Sequence, residues 1–146
     1  MSNLIRVLVA DDHAVVRQGL SSVITPSDGM EVVGEAVNGA EAVEMARMLK
    51  PDVILIDLVM PEKNGLDAIR EIKQDNQAAR ILVLTSFGDD SRVSEAIQSG
   101  ALGFILKDSS IEELFHALRE VSAGNMSLPP GIAQKLVQGI TRPPSI

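Results

Sequence analysis

Asp57 stands at the end of an unbroken apolar run, Val53-Ile54-Leu55-Ile56, and Pro61 follows shortly after it. A carboxylate there is poorly sited for stability, because burying a charge is costly unless something pairs with it. It is well sited for chemistry. A carboxylate can act as a nucleophile toward a phosphoryl group, forming an aspartyl phosphate, and it binds hard cations through oxygen. Other polar residues share this placement just beyond an apolar run. Asp11 and Asp12 follow Leu4–Ala10, Thr85 follows Arg80–Leu84, and Lys107 follows Gly103–Leu106. Carboxylates gathered at one place repel, at about 4 kcal/mol for a pair about 4 Å apart and an effective dielectric of about 20. A cation must offset that repulsion. Mg²⁺ suits an all-oxygen set, Lys107 supplies a second positive charge, and Thr85 a hydroxyl donor. An anion reaching Asp57 would meet a metal, an ammonium and a hydroxyl, which is an apparatus for in-line phosphoryl transfer. Singly, each residue has an ordinary reading: Asp12 a helix cap, Asp11 a solvated loop acid, Lys107 a surface lysine, Asp57 a solvated acid. The joint placement at strand ends carries the argument.

These residues meet only if the apolar runs are strands of one parallel sheet, with their carboxyl ends on one edge. The intervening segments support that. Val16, Leu20, Val23 and Ile24 recur at helical spacing after the first run, with Asp12 as a possible cap. Pro26 to Gly29 reads as a turn and Met30–Val37 as a second strand. Asn38 is placed to cap a helix carrying Ala42, Val43, Ala46 and Leu49. Val53–Ile56, short, β-branched and proline-bounded, reads as a central strand buried on both faces. Leu66, Ile69 and Ile72 mark a third helix after Asn64-Gly65, and Val93, Ala96 and Ile97 a fourth, closed by Gly100. Ser110 with Glu113 forms a capping box for a fifth helix carrying Ile111, Leu114, Leu118 and Val121, with Gly124 at its end. Strand alternating with helix five times predicts an α/β fold, a five-stranded parallel sheet doubly wound as (βα)5. Residues 1–124 are expected to form this unit. Residues 125–146 read as a short helix over 131–140 followed by a linker through Pro143-Pro144, leading toward a further domain absent from this chain.

Composition removes several classes of function. The 146 residues fit one domain with a real core. There is no cysteine, which excludes disulfides, thiolate metal sites and thiol nucleophiles. His13 and His116 read as surface residues. The net charge of −7 argues against nucleic-acid binding by this chain itself. No apolar run approaches the length of about 20 residues needed to span a bilayer, so no membrane partner is expected and the cytoplasm is the default location. No Gly-rich phosphate loop is present.

Asp11-Asp12 after the first strand, Asp57-Leu-Val-Met-Pro61 with Asn64-Gly65, Thr85-Ser86, and Gly100-Ala-Leu-Gly-Phe-Ile-Leu-Lys107 resemble the receiver domain of a two-component response regulator, a flavodoxin-like fold. The resemblance covers residues 4 to 123. Ala10-Asp-Asp-His13-Ala-Val-Val-Arg17 and Lys107-Asp-Ser109 are similar to the NarL/FixJ group, whose receivers precede a LuxR-type helix-turn-helix. The resemblance implies that Asp57 accepts a phosphoryl group from a sensor histidine kinase. It implies that Asp11, Asp12, Asp57 and the backbone carbonyl of Val59 hold Mg²⁺, and that Lys107 and Thr85 bind the phosphoryl oxygens. Phe104 takes the aromatic switch position and turns inward as Thr85 moves. The activated form is expected to homodimerise and to reach DNA only through the missing C-terminal domain. Such a chain is not a turnover enzyme. Its departures are Asp108 in place of a proline after the lysine, and Phe104, which lacks a hydroxyl and can switch by packing alone. In this family the positions two after the acceptor and two after the threonine flank the path of a hydrolytic water. Here they are the apolar Val59 and Phe87, so self-dephosphorylation is expected to be slow. Two other readings stand beside this one. A stand-alone receiver would act by protein contact. A haloacid-dehalogenase-type phosphohydrolase would need a second acid two residues after the nucleophile, where this chain has Val59.

Overall fold

The computed structural model describes residues 4–86 and 90–129. Five strands form one parallel sheet: β1 (Ile5–Ala10), β2 (Met30–Ala36), β3 (Val53–Asp57), β4 (Ile81–Thr85) and β5 (Gly103–Leu106), in the order β2-β1-β3-β4-β5. Between and after them come α1 (Ala14–Val23), α2 (Gly39–Leu49), α3 (Gly65–Asp75), α4 (Asp90–Ser99) and α5 (Ile111–Ser122). The fold is the doubly wound (βα)5 arrangement expected from the alternation of apolar runs and helical spacing. Among the described residues no helix is long and apolar enough to cross a membrane.

Alternation along the strands divides the core in two. Leu8, Ile54, Ile56, Ile81, Val83 and Phe104 face α2, α3 and α4, packing with Val43, Ala68, Ile69, Ile72, Val93 and Ala96. Val7, Val9, Val53, Leu55, Leu82 and Leu84 face the other way, toward Leu114, Leu118 and Val121 of α5 and toward the partly buried Val16 and Leu20 of α1. β3 lies between β1 and β4 and is buried along its whole length. Full burial of a Val, Leu or Ile side chain is worth roughly 1.5–3 kcal/mol. The apolar run before Asp57 therefore anchors that residue firmly. Register does the rest. Ala10 pairs with Ile56, so Asp11 follows at the level of Asp57. Asp57 pairs with Leu84, which puts Thr85 one step beyond it.

The helices begin where side-chain caps are available. Asn38 accepts from the Glu41 amide (2.8 Å) and Asn64 from the Asp67 amide (2.9 Å). Ser110 and Glu113 form the expected reciprocal box. Such caps contribute about 1 kcal/mol each. The expected cap at α1 is not made. The helix starts at Ala14 with His13 in the cap position and no side-chain cap bond. Asp12 sits one residue too early, and its carboxylate is engaged elsewhere. Ile111, expected inward, is half exposed, because it opens the first turn of α5 away from the sheet.

Gly124 ends α5 with a positive φ of 89°. The chain then returns along the sheet edge. Ser127 bridges Gly103 in parallel, and its carbonyl accepts the Phe104 amide at 2.8 Å. β5 is an edge strand, and an uncovered edge presents unpaired backbone groups. Residues 125–129 cover part of that edge. The helix expected over 131–140 lies outside the described residues.

Gly65 sets how closely α3 approaches the carboxyl end of β3. A Cβ there would lie 2.6 Å from Leu58 Cα and closer still to the Asp57 carbonyl oxygen. Gly65→Ala is therefore expected to destabilise the protein by about 1–3 kcal/mol, the usual range for overpacking. The measurement is the urea midpoint, with m unchanged.

Candidate functional site

Asp11, Asp57 and Thr85 are the buried polar side chains of the described core, and all three lie at carboxyl ends of strands. Lys107 follows β5 and is positioned by backbone: its amide donates to the Thr85 carbonyl at 2.8 Å, extending the β4–β5 ladder. Its ammonium then reaches across β4 to β3. Lys107 Nζ donates to Asp57 Oδ2 at 2.7 Å and lies 3.8 Å from Asp11 Oδ2. The other oxygen of Asp57, Oδ1, accepts the Val59 amide at 3.0 Å, in the turn just after the strand. The Val59 side chain is exposed.

The β1–α1 loop turns three consecutive side chains toward the same point. Asp11 Oδ1 accepts the His13 amide at 2.8 Å and lies 2.9 Å from His13 Nδ1. Asp12 Oδ1 is 3.3 Å from the same nitrogen. Arg17, one turn into α1, clamps this loop. Its Nη1 donates to the Asp11 carbonyl at 2.7 Å, and its Nε lies 3.5 Å from Glu35, which also accepts from Ser21 Oγ. One ligand atom from each of Asp11, Asp12, His13 and Asp57 falls within 4.8 Å of the others. Asp11 Oδ2 is buried and has no hydrogen-bond partner among the described residues. Lys107 is within ion-pair range of it but beyond hydrogen-bond distance.

Burial pushes the Asp57 carboxyl above its ordinary range. The Lys107 and Val59 hydrogen bonds oppose that push, and the charge of Asp11 adds to it. For Lys107, burial pulls the ammonium down, but the hydrogen bond and charge of Asp57, with Asp11 and Asp12, outweigh it. Its pKa stands above the ordinary lysine value. Burial dominates the first shift and the surrounding carboxylates the second, with the Asp11 charge contributing to both.

The structure thus brings together Asp11, Asp12, Asp57 and Lys107, as expected. It places Thr85 beside them without joining them. The Thr85 hydroxyl donates to the Ser86 carbonyl at 3.3 Å, and no described hydrogen bond links it to Asp57. Phe104, expected to turn inward on activation, is already inward and about 1% exposed, packed in the α2–α4 core. Phe87 lies outside the described residues. His13 was taken for a surface residue. More than half of its side chain is indeed exposed, yet its ring nitrogen faces both aspartates of the loop. The adjacency Asp11-Asp12-His13 could have flagged it, since a turn that presents two carboxylates to one point can present the next residue too. Arg17 appeared only in the motif, and its bond to a backbone carbonyl leaves no trace in spacing.

A family model, that of the response regulator receiver domain, matches residues 7–119. YdfI, a transcriptional regulatory protein of Bacillus subtilis, is 45% identical over 131 residues, covering 90% of this chain and 61% of that protein. LiaR, a transcriptional regulatory protein of the same organism, is 42% identical over 134 residues, covering 92% of this chain and 64% of its own length. The chain therefore spans less than two thirds of the length of these curated relatives. The crystal structure of a LuxR-family two-component response regulator from an Aurantimonas species aligns with a TM-score of 0.87 at 34% identity, covering 95% of this chain and 99% of that one.

The raised pKa of Asp57 has a consequence for stability. Between its ordinary and its raised pKa the folded protein binds more protons than the unfolded chain, so stability falls as pH rises through that window. Asp57→Asn removes the buried charge. In metal-free buffer it is expected to be more stable than the parent, with a gain small near pH 4 and larger at neutral pH. Urea unfolding across pH 4–8 checks this, and a gain independent of pH would mean that charge burial is not the cause.

Proposed function

The chain belongs to the response regulator receiver domain family, and on that footing we propose that Asp57 accepts a phosphoryl group from a sensor histidine kinase and that the modified domain controls a DNA-binding output region. The observation that carries this is the Asp57–Lys107 pair set beside the unpartnered buried oxygen of Asp11. In the transfer, an Asp57 carboxylate oxygen attacks phosphorus in line, the bond from phosphorus to the kinase histidine breaks, and the imidazole leaves. Lys107 is 2.7 Å from Asp57 Oδ2 beforehand, so its ammonium is in place to move onto the oxygens of the incoming group.

The donor set fits Mg²⁺. Carboxylate oxygens converge, one of them lacks any hydrogen bond, and a hard cation is the partner that oxygen requires. Asp11, Asp12 and Asp57, with the Val59 carbonyl, would hold it, and when bound it would neutralise phosphoryl charge. Thr85 and Lys107 would bind the phosphoryl oxygens. The Thr85 hydroxyl now makes a 3.3 Å bond to Ser86, long enough to exchange at little cost. Phosphorylation adds about −1.5 to −2 charge with strong acceptor oxygens. Reversing a 1:99 equilibrium takes about 5.5 kcal/mol, and each charge-assisted hydrogen bond supplies about 1.5–3 kcal/mol. Two or three new bonds are therefore enough. With Phe104 already inward, Thr85 and the chain around it are the movable part, and Phe104 is the packing against which they settle.

The relatives matched over their receiver portions are named as transcriptional regulators. By analogy the activated chain homodimerises, and DNA is reached through a helix-turn-helix region that follows the receiver. The seat of this chemistry is the cytoplasm, where kinase and DNA are both accessible. The domain promotes its own phosphorylation and slow dephosphorylation and turns over no independent substrate.

Intact mass after incubation with Mg²⁺ and a small-molecule phosphodonor tests the reading. One phosphoryl adduct is expected, absent in Asp57→Ala and absent without Mg²⁺. An adduct that persists in Asp57→Ala would move the acceptor elsewhere. The exposed Val59 cannot orient water, so Val59→Asn is expected to shorten the life of the adduct several-fold. An unchanged decay would mean that this position does not govern hydrolysis.

A further inference from the structure

We infer that His13 is a direct ligand of the cation pocket, which makes the pocket a mixed nitrogen and oxygen site that takes divalent transition cations in preference to Mg²⁺. The inference deepens the reading of Asp11, Asp12 and Asp57 as a metal site and rests on it. Three consecutive residues, Asp11, Asp12 and His13, each bring a ligand atom to one point, and Asp57 brings a fourth within the same 4.8 Å. Adjacent ligands of an octahedral ion at about 2.1 Å are about 3.0 Å apart. His13 Nδ1 lies 2.9 Å from Asp11 Oδ1 and 3.3 Å from Asp12 Oδ1, the spacing of neighbouring ligands on one ion. A second observation, independent of the histidine, calls for a cation here. Among the described residues Asp11 Oδ2 is fully buried and makes no hydrogen bond, with the Lys107 ammonium 3.8 Å away.

The chemistry of the set decides which cation. Mg²⁺ is held by oxygens and keeps several waters. Imidazole favours later divalent metals, and affinity at a nitrogen-containing site climbs from Mn²⁺ through Co²⁺ to Ni²⁺. An all-carboxylate pocket would discriminate weakly along that series. A pocket with one imidazole discriminates more. The ring is more than half exposed, so Nδ1 can turn its lone pair to a cation without disturbing the core.

His13→Ala separates ligation from support. The substitution keeps the backbone amide that donates to Asp11 Oδ1, and α1 has no side-chain cap at this position to lose. The experiment titrates untagged wild-type and His13→Ala protein with Co²⁺ and with Mg²⁺ by calorimetry. The ring resonances of the Co²⁺-loaded protein are then recorded, with His116 as an internal control. In His13→Ala the Co²⁺ dissociation constant is expected to rise about tenfold or more, the scale on which groups at a metal site act, while that for Mg²⁺ changes far less. A contact-shifted imidazole N–H is expected in the wild type and absent from the variant. Equal losses for both metals would show that His13 only steadies Asp11 and would overturn the inference while leaving the cation pocket standing. So would an unshifted His13 ring in a protein that binds Mg²⁺. Failure of the wild type to bind either metal would overturn both readings together.

Discussion

The ion pair between Lys107 and Asp57 is the interaction on which the site depends. A carboxylate at the end of a buried strand, with a second buried carboxylate beside it, is an unfavourable arrangement. One ammonium at 2.7 Å from Asp57 and 3.8 Å from Asp11 cannot neutralise both. Burial raises the pKa of Asp57 with Asp11 adding to it, and the neighbouring carboxylates raise that of Lys107. A partly buried pair of this kind is weak support for stability, because desolvation consumes much of the attraction. What it secures is a defined place for incoming charge. A divalent cation and a phosphoryl dianion arriving together bring roughly balanced charge to a pocket already shaped by fixed donors.

Fixing those donors falls to elements remote from the chemistry. β3 is held by neighbours on both sides and by apolar contacts on both faces, so the position of Asp57 is set by core packing rather than by its own loop. Asp11 is set by the end of β1 and by Arg17, which ties the Asp11 carbonyl to Glu35 of β2. Lys107 is set by the last bond of the β4–β5 ladder. Each charged group thus ends a strand whose register is determined by hydrophobic alternation. A slip of one residue would exchange the side chains packed on the two faces and remove the terminal ligand from the site.

That dependence explains what was legible in the sequence. Apolar runs ending in Asp, Thr or Lys can be read because β-strand burial leaves a pattern, and the parallel order then brings their ends together without any side-chain detail. The caps at Asn38 and Ser110 were readable for a similar reason, since the capping residue and the helix it opens are adjacent. What could not be read depends on side-chain direction within loops. Asp12 looked like a cap, yet the helix begins two residues later, because the loop spends Asp12 and His13 on the pocket. The resting partner of Thr85 was equally unreadable: its hydroxyl, free to rotate, donates to the Ser86 carbonyl. Phe104 was expected to turn inward on activation, but its ring is already part of the buried core on the α2–α4 side of the sheet. The polar stretch after Gly124 read as linker because it has no apolar period. Its pairing with Gly103 and Phe104 is made by backbone atoms, which any sequence carries.

β5 joins these parts physically. It is four residues long. At its carboxyl end Lys107 holds Asp57 and hydrogen-bonds to the Thr85 backbone. At its amino end Gly103 and Phe104 pair with Ser127 and so with the chain leaving α5. The aromatic ring and the backbone bond to Ser127 belong to the same residue. A shift of Lys107 toward a phosphoryl group pulls on the last bond of β5, and a strand this short has few internal degrees of freedom in which to absorb the pull. The segment Asn125–Pro129 is held at the sheet edge by the pairing of Ser127 and by Leu128 packed against the core. The short strand and this segment lie in series between the carboxylate site and the residues beyond Pro129. That order gives a local change of charge a route to the part of the chain where an output region would follow.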